Sequence, residues 1–261
     1  MRTVDYPLTL NQTTMKKIIF LLYGIVAYLL FFGTISYAIG FVSTLIVPKH
    51  LDNTSQSSLG FALLVNAGLL ALFAVQHSVM ARPAFKRWWT TFVPEPIERS
   101  TYVLFSSLCL ILLFREWQPI GGIVWQVESE TAIIILRSLC LLGFGIVLIS
   151  TFLINHFDLF GLRQVWLYFV GKDYEPLPFR TPFFYKYVRH PLYLGFMIAF
   201  WATPTMTVAH LFFAIMTTGY ILTAIQFEEN DLVKHFGEKY QEYKRSAPML
   251  IPFAKGFKGK K

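Results

Sequence analysis

The stretch IIFLLYGIVAYLLFFGTISYAIGFVSTLIV, residues 18–47, decides the class of this chain. It exceeds the roughly 20 apolar residues that cross a bilayer. It also lacks a short apolar core followed by a small-residue cleavage site, so it reads as a retained helix rather than a signal peptide. Outward from it the pattern repeats at 59–81, 102–114, 131–153 and 191–227. The third stretch is short for a span. The last is too long for one and is broken at Thr203-Pro204-Thr205, which predicts a helical hairpin. Hydrophobic residues make up 55% of the 261 and charged residues 15%, more apolar surface than one water-soluble core can hide. The expected fold is all-α: a polytopic integral membrane protein of about six transmembrane helices, ending in a C-terminal helical hairpin.

The net charge of +8 has a topological reading. Twenty of the 23 Lys and Arg lie before residue 18, in the loops 82–99 and 163–189, or in the tail 234–261, leaving Lys49, Arg115 and Arg137 elsewhere. That bias predicts both termini and both basic loops on the cytoplasmic side, in a bacterial cell the inner membrane. There is no basic stripe or stacking platform, so no nucleic-acid partner is expected; the expected partners are the lipid bilayer and a small molecule. Cys109 and Cys140 sit inside apolar blocks and read as packing residues. His156-x-Asp158 lacks further ligands, and no metal is assigned.

The chemistry concentrates in two runs. In Tyr-Val-Arg-His-Pro-Leu-Tyr-Leu-Gly, 187–195, Arg189 and His190 precede Pro191, which suits the first turn of a helix. The free N–H groups of that turn, with Arg189 and His190, suit a carboxylate or phosphate. Tyr193 adds a ring and a hydroxyl, and Gly195 permits close approach. The second run, Glu228-Glu229, closes an apolar helix where the dipole disfavours anions, so a cation is needed: Arg189, or a cationic cofactor. The bland alternatives are a topogenic arginine and an ordinary solvated helix exit. The predicted topology brings His77, Asp158, His190 and Glu228 to one face. His77 and Asp158, or His156, are the candidate bases, set against purely structural roles in which His77 and Gln76 bond between helices and Asp158 pairs with Arg163. Arg82 and Arg99 suit a thiolate or a cofactor carboxylate, with a topogenic role as the preferred alternative.

Arg-His-Pro-x-Tyr-x-Gly, an apolar hairpin, Glu-Glu-x-x-Leu and Phe236-Gly237-x-x-Tyr240-x-x-Tyr243 resemble the C-terminal half of the isoprenylcysteine carboxyl methyltransferase and phospholipid methyltransferase families. Membrane sterol reductases that use NADPH share this pattern more loosely. The resemblance implies an S-adenosylmethionine site that includes His190, Tyr193, Gly195, Glu228 and Glu229, with Arg189 beside them. Further upstream lie Gln76-His77-Ser78-x-x-Ala81-Arg82-Pro83, Pro96-x-Glu98-Arg99-Ser100-x-Tyr102 and 155–164, Asn-His-Phe-Asp-Leu-Phe-Gly-Leu-Arg-Gln. These are similar to the nurim-type membrane proteins and, within that group, to the bacterial methanethiol S-methyltransferases. This implies methyl transfer from S-adenosylmethionine to a small thiol, methanethiol, giving dimethyl sulfide. A lipid or prenylcysteine methyltransferase, an NADPH-dependent reductase and a non-enzymatic nurim-like protein are the competing readings. The expected layout is one domain, 1–261, with N-terminal spans and acceptor-side loops to 184, a cofactor-binding hairpin and tail at 185–252, and a basic tail at 253–261.

Overall fold

A segment surrounded by lipid has to satisfy every backbone N–H and C=O internally, and a helix does this within one stretch of chain. The computed structural model describes residues 10–53, 57–252 and 254, so most of the predicted basic tail 253–261 lies outside the described residues. From the N-terminus come α1 (Leu10–Ser43), α2 (Leu59–Ala81), the short α3 (Pro83–Trp89) and α4 (Glu95–Glu116). Next are strand β1 (Ile123–Gln126), α5 (Glu130–Ile154), and the short α6 (His156–Leu159) and α7 (Leu162–Phe169). The chain closes with α8 (Pro191–Trp201), β2 (Thr205–Thr207), α9 (Val208–Phe236) and α10 (Glu238–Ser246). Helices α1, α2, α4, α5 and α9 are long and apolar enough to cross a membrane. Leu22, Val26, Leu64, Val75, Ile134 and Phe152 are among the large apolar side chains left exposed on them, as on a surface solvated by lipid.

Two spans differ from the sequence expectation. The third is not short: α4 begins at Glu95 rather than near residue 102, because Pro96 falls in its first turn, where a missing N–H costs nothing. The sixth is not a full span. Helix α8 has 11 residues and rises about 16 Å, half of a hydrocarbon core of about 30 Å. The chain continues as an extended segment, 202–207, instead of turning back at once. Irregular backbone at membrane depth requires cover and partners, and this segment has both. Thr203 and Met206 are buried, β2 pairs antiparallel with β1, Val127 N donates to Pro204 O at 2.9 Å and Val208 N to Gly122 O at 3.0 Å. The ribbon is absent from the sequence reading, which has only loops there.

At this end Trp117, Phe41, Leu51 and Leu113 form a buried apolar cluster with Phe213. Asn66 is satisfied inside it, donating to Gln118 O at 2.7 Å and accepting from Gln118 N at 2.8 Å. His210, fully buried, places Nδ1 3.2 Å from Asp52 Oδ2 and Nε2 2.9 Å from the Phe200 carbonyl. The ring is thus held between a carboxyl group and a backbone carbonyl. It ties the turn of the hairpin to the α1–α2 connection.

The most extensive helix contact is between α5 and α8. It depends on small residues: a Cβ on Gly195 would lie 2.6 Å from the Gly143 carbonyl, and one on Gly143 would lie 2.6 Å from the Gly195 carbonyl and 2.7 Å from Ala199 N. Gly145, two residues on and so on another face of α5, would meet nothing within 4 Å. We expect Gly195→Ala to cost about 1–3 kcal/mol, as overpacking does. Gly145→Ala should match or exceed the parent, because alanine favours a helix. Thermal unfolding of the two variants in the same detergent checks this, and equal melting temperatures would refute it.

Candidate functional site

The two chemical runs meet at the other end of the bundle. After a 3-10 turn, Phe183–Lys186, the chain is held by its own C-terminal segment: Arg189 N donates to Pro248 O at 2.8 Å and His190 N to Met249 O at 3.1 Å. Helix α8 then starts with Pro191 at its first position. Helix α9 ends at Gly237, whose φ of +57° is left-handed and suits a residue without a side chain. The reversal there folds α10 back along the end of α9. Tyr243 OH closes the loop by donating to Tyr185 O at 2.5 Å, and burial raises the Tyr185, Tyr240 and Tyr243 hydroxyls above the usual tyrosine range.

Glu228 and Glu229 diverge. Glu229 turns inward, its side chain 4% exposed, with Oε1 accepting from Arg189 Nε at 2.6 Å and lying 3.0 Å from His190 Nε2. Its Oε2 is 2.8 Å from Lys244 Nζ. Arg189 is spent on the same knot, donating through Nη1 to Lys244 O at 3.1 Å and Ala247 O at 2.6 Å. Glu228 turns outward, 42% exposed, with Oε2 accepting from Tyr193 OH at 2.9 Å and standing 4.0 Å from His190 Nδ1. It is the carboxylate of the pair that has a free side. An open cleft of about 630 Å³ lies on the Lys244 side of Glu229, lined by Asn230, Lys234, Gln241 and Arg245 among others. It does not reach Glu228 or Tyr193, so its size is no guide to where the chemistry lies.

His77 is held between α2 and α4. Its ring stacks on Phe73, and Nδ1 lies 3.1 Å from Ser106 Oγ and 2.9 Å from Tyr102 OH. Tyr102 is within electrostatic reach of Glu228, Arg82 and Arg99. Two bonds cross from α2 to α9 beside it, Ser78 Oγ to Tyr220 OH at 3.1 Å and Arg82 Nη1 to Asp231 Oδ2 at 2.8 Å. His77 thus bonds into α4, at the end of α2 that is tied to α9. Asp158 belongs to another cluster: Arg163 Nη1 is 2.8 Å away, Gln164 Nε2 3.4 Å and Tyr174 OH 3.4 Å. Tyr174, raised by burial and then by Asp158, also feels Arg99. His156 is closed in, with Tyr28 OH and Thr151 Oγ1 each 2.8 Å from a ring nitrogen and Phe152 stacked at 4.2 Å.

Of the nine site residues expected from sequence, Arg189, His190, Tyr193, Glu228 and Glu229 converge directly, while His77 bonds to Tyr102 and Ser106 of α4. Asp158 and His156 line a second corner. The close approach expected at Gly195 is made by α5, whose backbone fills the space a ligand would need. Lys244 and Tyr102 have no assigned role in the sequence reading, and Arg99 enters it only as a possible neutraliser of a thiolate or of the cofactor carboxylate, with a topogenic role preferred. Tyr102 and Arg99 lie three residues apart on one face of α4, a spacing that marks them as a pair. Nothing local marks Lys244, whose reach depends on the reversal at Gly237.

The knot generates a prediction about the two acids. Removing one partner of a buried ion pair leaves the others without compensation, so Glu229→Ala should destabilise by about 3 kcal/mol or more. Glu228→Ala, at a half-exposed position, should change stability by less than about 1 kcal/mol. Thermal unfolding in detergent distinguishes them; equal losses would mean that both acids are structural.

Comparison with known proteins adds the family. Residues 65–230 match the family described as NnrU protein. A methanethiol S-methyltransferase of Crocosphaera subtropica is 59% identical over 94% of this chain and 96% of its own length. Methanethiol S-methyltransferase 1 of Bradyrhizobium diazoefficiens is 55% identical over 91% of this chain and 83% of its own length. Nurim of Bos taurus is more distant, 31% identical over 65% of this chain and 68% of its own length. No solved structure matches. By these likenesses the chain belongs to the NnrU family of membrane proteins and, within it, to the branch that contains the methanethiol S-methyltransferases.

Proposed function

We infer that this protein methylates methanethiol to dimethyl sulfide at the expense of S-adenosylmethionine. The observation that carries the reading is the 59% identity with a methanethiol S-methyltransferase over 94% of the chain. The unit 185–252 fits the cofactor in one testable respect. Glu228 presents an outward carboxylate, oriented by Tyr193, that matches a cationic donor. When bound, S-adenosylmethionine supplies an electrophilic methyl group and leaves with the electron pair of the broken S–C bond as S-adenosylhomocysteine.

The side chains divide the remaining work. A thiol becomes a strong nucleophile only as its thiolate, so the site needs a proton acceptor and a fixed line of attack. His77, held by Tyr102 and Ser106, takes the thiol proton and passes it toward solvent. Glu228, Tyr193 and His190 hold the donor, while Arg189, Glu229 and Lys244 hold the frame around it. Gly195 serves by fixing α8 against α5. Asp158, already paired with Arg163, and the enclosed His156 brace the α5–α7 corner. The charge bias supports an inner-membrane protein with both termini cytoplasmic, which puts this end of the bundle where S-adenosylmethionine is made.

Membranes carrying the protein should convert methanethiol and S-adenosylmethionine to headspace dimethyl sulfide. No signal above empty-vector membranes would sink the reading, and binding of NADPH without S-adenosylmethionine would favour a reductase. Glu228→Ala should weaken S-adenosylmethionine binding by about tenfold or more. His77→Ala should leave binding intact and lower kcat about 100-fold. The reverse pattern would overturn this division of roles.

A further inference from the structure

Resting on the S-adenosylmethionine reading, we propose that Arg99, with Lys86 beside it, holds the carboxylate of the methyl donor. The donor is a zwitterion at its amino-acid end, and a carboxylate brought out of water needs a cationic partner. Arg189, the cation nearest Glu228 in the sequence motif, does not serve: it is 9% exposed and committed to Glu229 and two backbone carbonyls. Arg82 and Arg163 are likewise paired, with Asp231 and Asp158, each at 2.8 Å. Arg99 has no ion pair among the described residues, and its Nε is buried without a hydrogen-bond acceptor. A buried guanidinium N–H without a partner is costly in a finished site and marks a place where the acceptor arrives from outside.

Its position agrees. Arg99 stands on the face of α4 that carries Tyr102, and both Arg99 and Glu228 act on the Tyr102 hydroxyl, so opposite ends of a zwitterion find complementary charges at the same end of the bundle. Lys86 adjoins it from α3. Burial, together with Arg99 and Arg82 and against the opposing effect of Glu98, pushes the Lys86 ammonium below the usual lysine range. Cations crowded in this way are relieved by an anion. Arginine suits a carboxylate in particular, because its planar fork donates two parallel hydrogen bonds.

The test compares equilibrium binding of S-adenosylmethionine with that of its decarboxylated analogue. The purified protein should prefer the carboxylate by at least about tenfold. Arg99→Gln should close that gap by weakening only S-adenosylmethionine, Arg99→Lys should restore part of it, and Lys86→Gln should narrow it. A gap that survives Arg99→Gln, or an equal loss for both ligands, would overturn the assignment. So would a loss seen only in nanodiscs with anionic lipid, which would make the pair a headgroup-phosphate site. If Arg99→Gln does not fold, Arg99→Lys and Lys86→Gln carry the comparison. Absence of S-adenosylmethionine binding by the unmodified protein would instead remove the cofactor reading on which the assignment rests.

Discussion

One buried carboxylate, Glu229, joins the start of α8, the end of α9 and the return of α10. Burial of an isolated charge is prohibitive, and Glu229 is tolerated because Arg189, His190 and Lys244 converge on its two oxygens. The converse also holds. Arg189 is itself nearly buried, so its guanidinium stays at this depth only while the acid is there. The division within the Glu-Glu pair follows: the inner residue is saturated by protein, which leaves the outer one with an exposed side.

The opposite end of the bundle is built differently. Its extended segment, ribbon and Trp117 cluster are apolar or paired through backbone, and the contact of Asp52 with His210 ties loops rather than facing an opening. Between the ends, the Gly143–Gly195 crossing lets α8 lie against α5 at backbone distance. A rigid short helix therefore delivers Tyr193 to Glu228. A loop with the same residues would scatter them.

Hydropathy made the long spans legible because a bilayer demands the same thing of each: some twenty apolar residues in a row. Charge bias assigns His77, Asp158, His190 and Glu228 to one face, because lysine and arginine mark the loops that flank them. The misses share a cause, in that they depend on where the chain goes after a recognisable signal. Pro204 marks the break in the hairpin, but the length of extended backbone is set by its pairing with β1. Gly195 announces a close approach without saying of what. Lys244 carries no pattern, since it reaches Glu229 through the turn at Gly237. Arg99 stands out only once its neighbours are seen to be paired with each other, and a sequence does not display the lack of a partner.

The knot around Glu229 also orders events in the life of the chain. Arg189 leaves the ribosome 40 residues ahead of Glu229, and the segment that receives its backbone N–H, around Pro248, follows 19 residues after that. While α8 inserts, its arginine has to remain in the aqueous headgroup region, and it is drawn inward only after the hairpin has closed and α10 has folded back. The working end is thus completed last, after the transmembrane scaffold is in place. Nascent chains that stop short of α10 would be threaded through the bilayer and still lack a site.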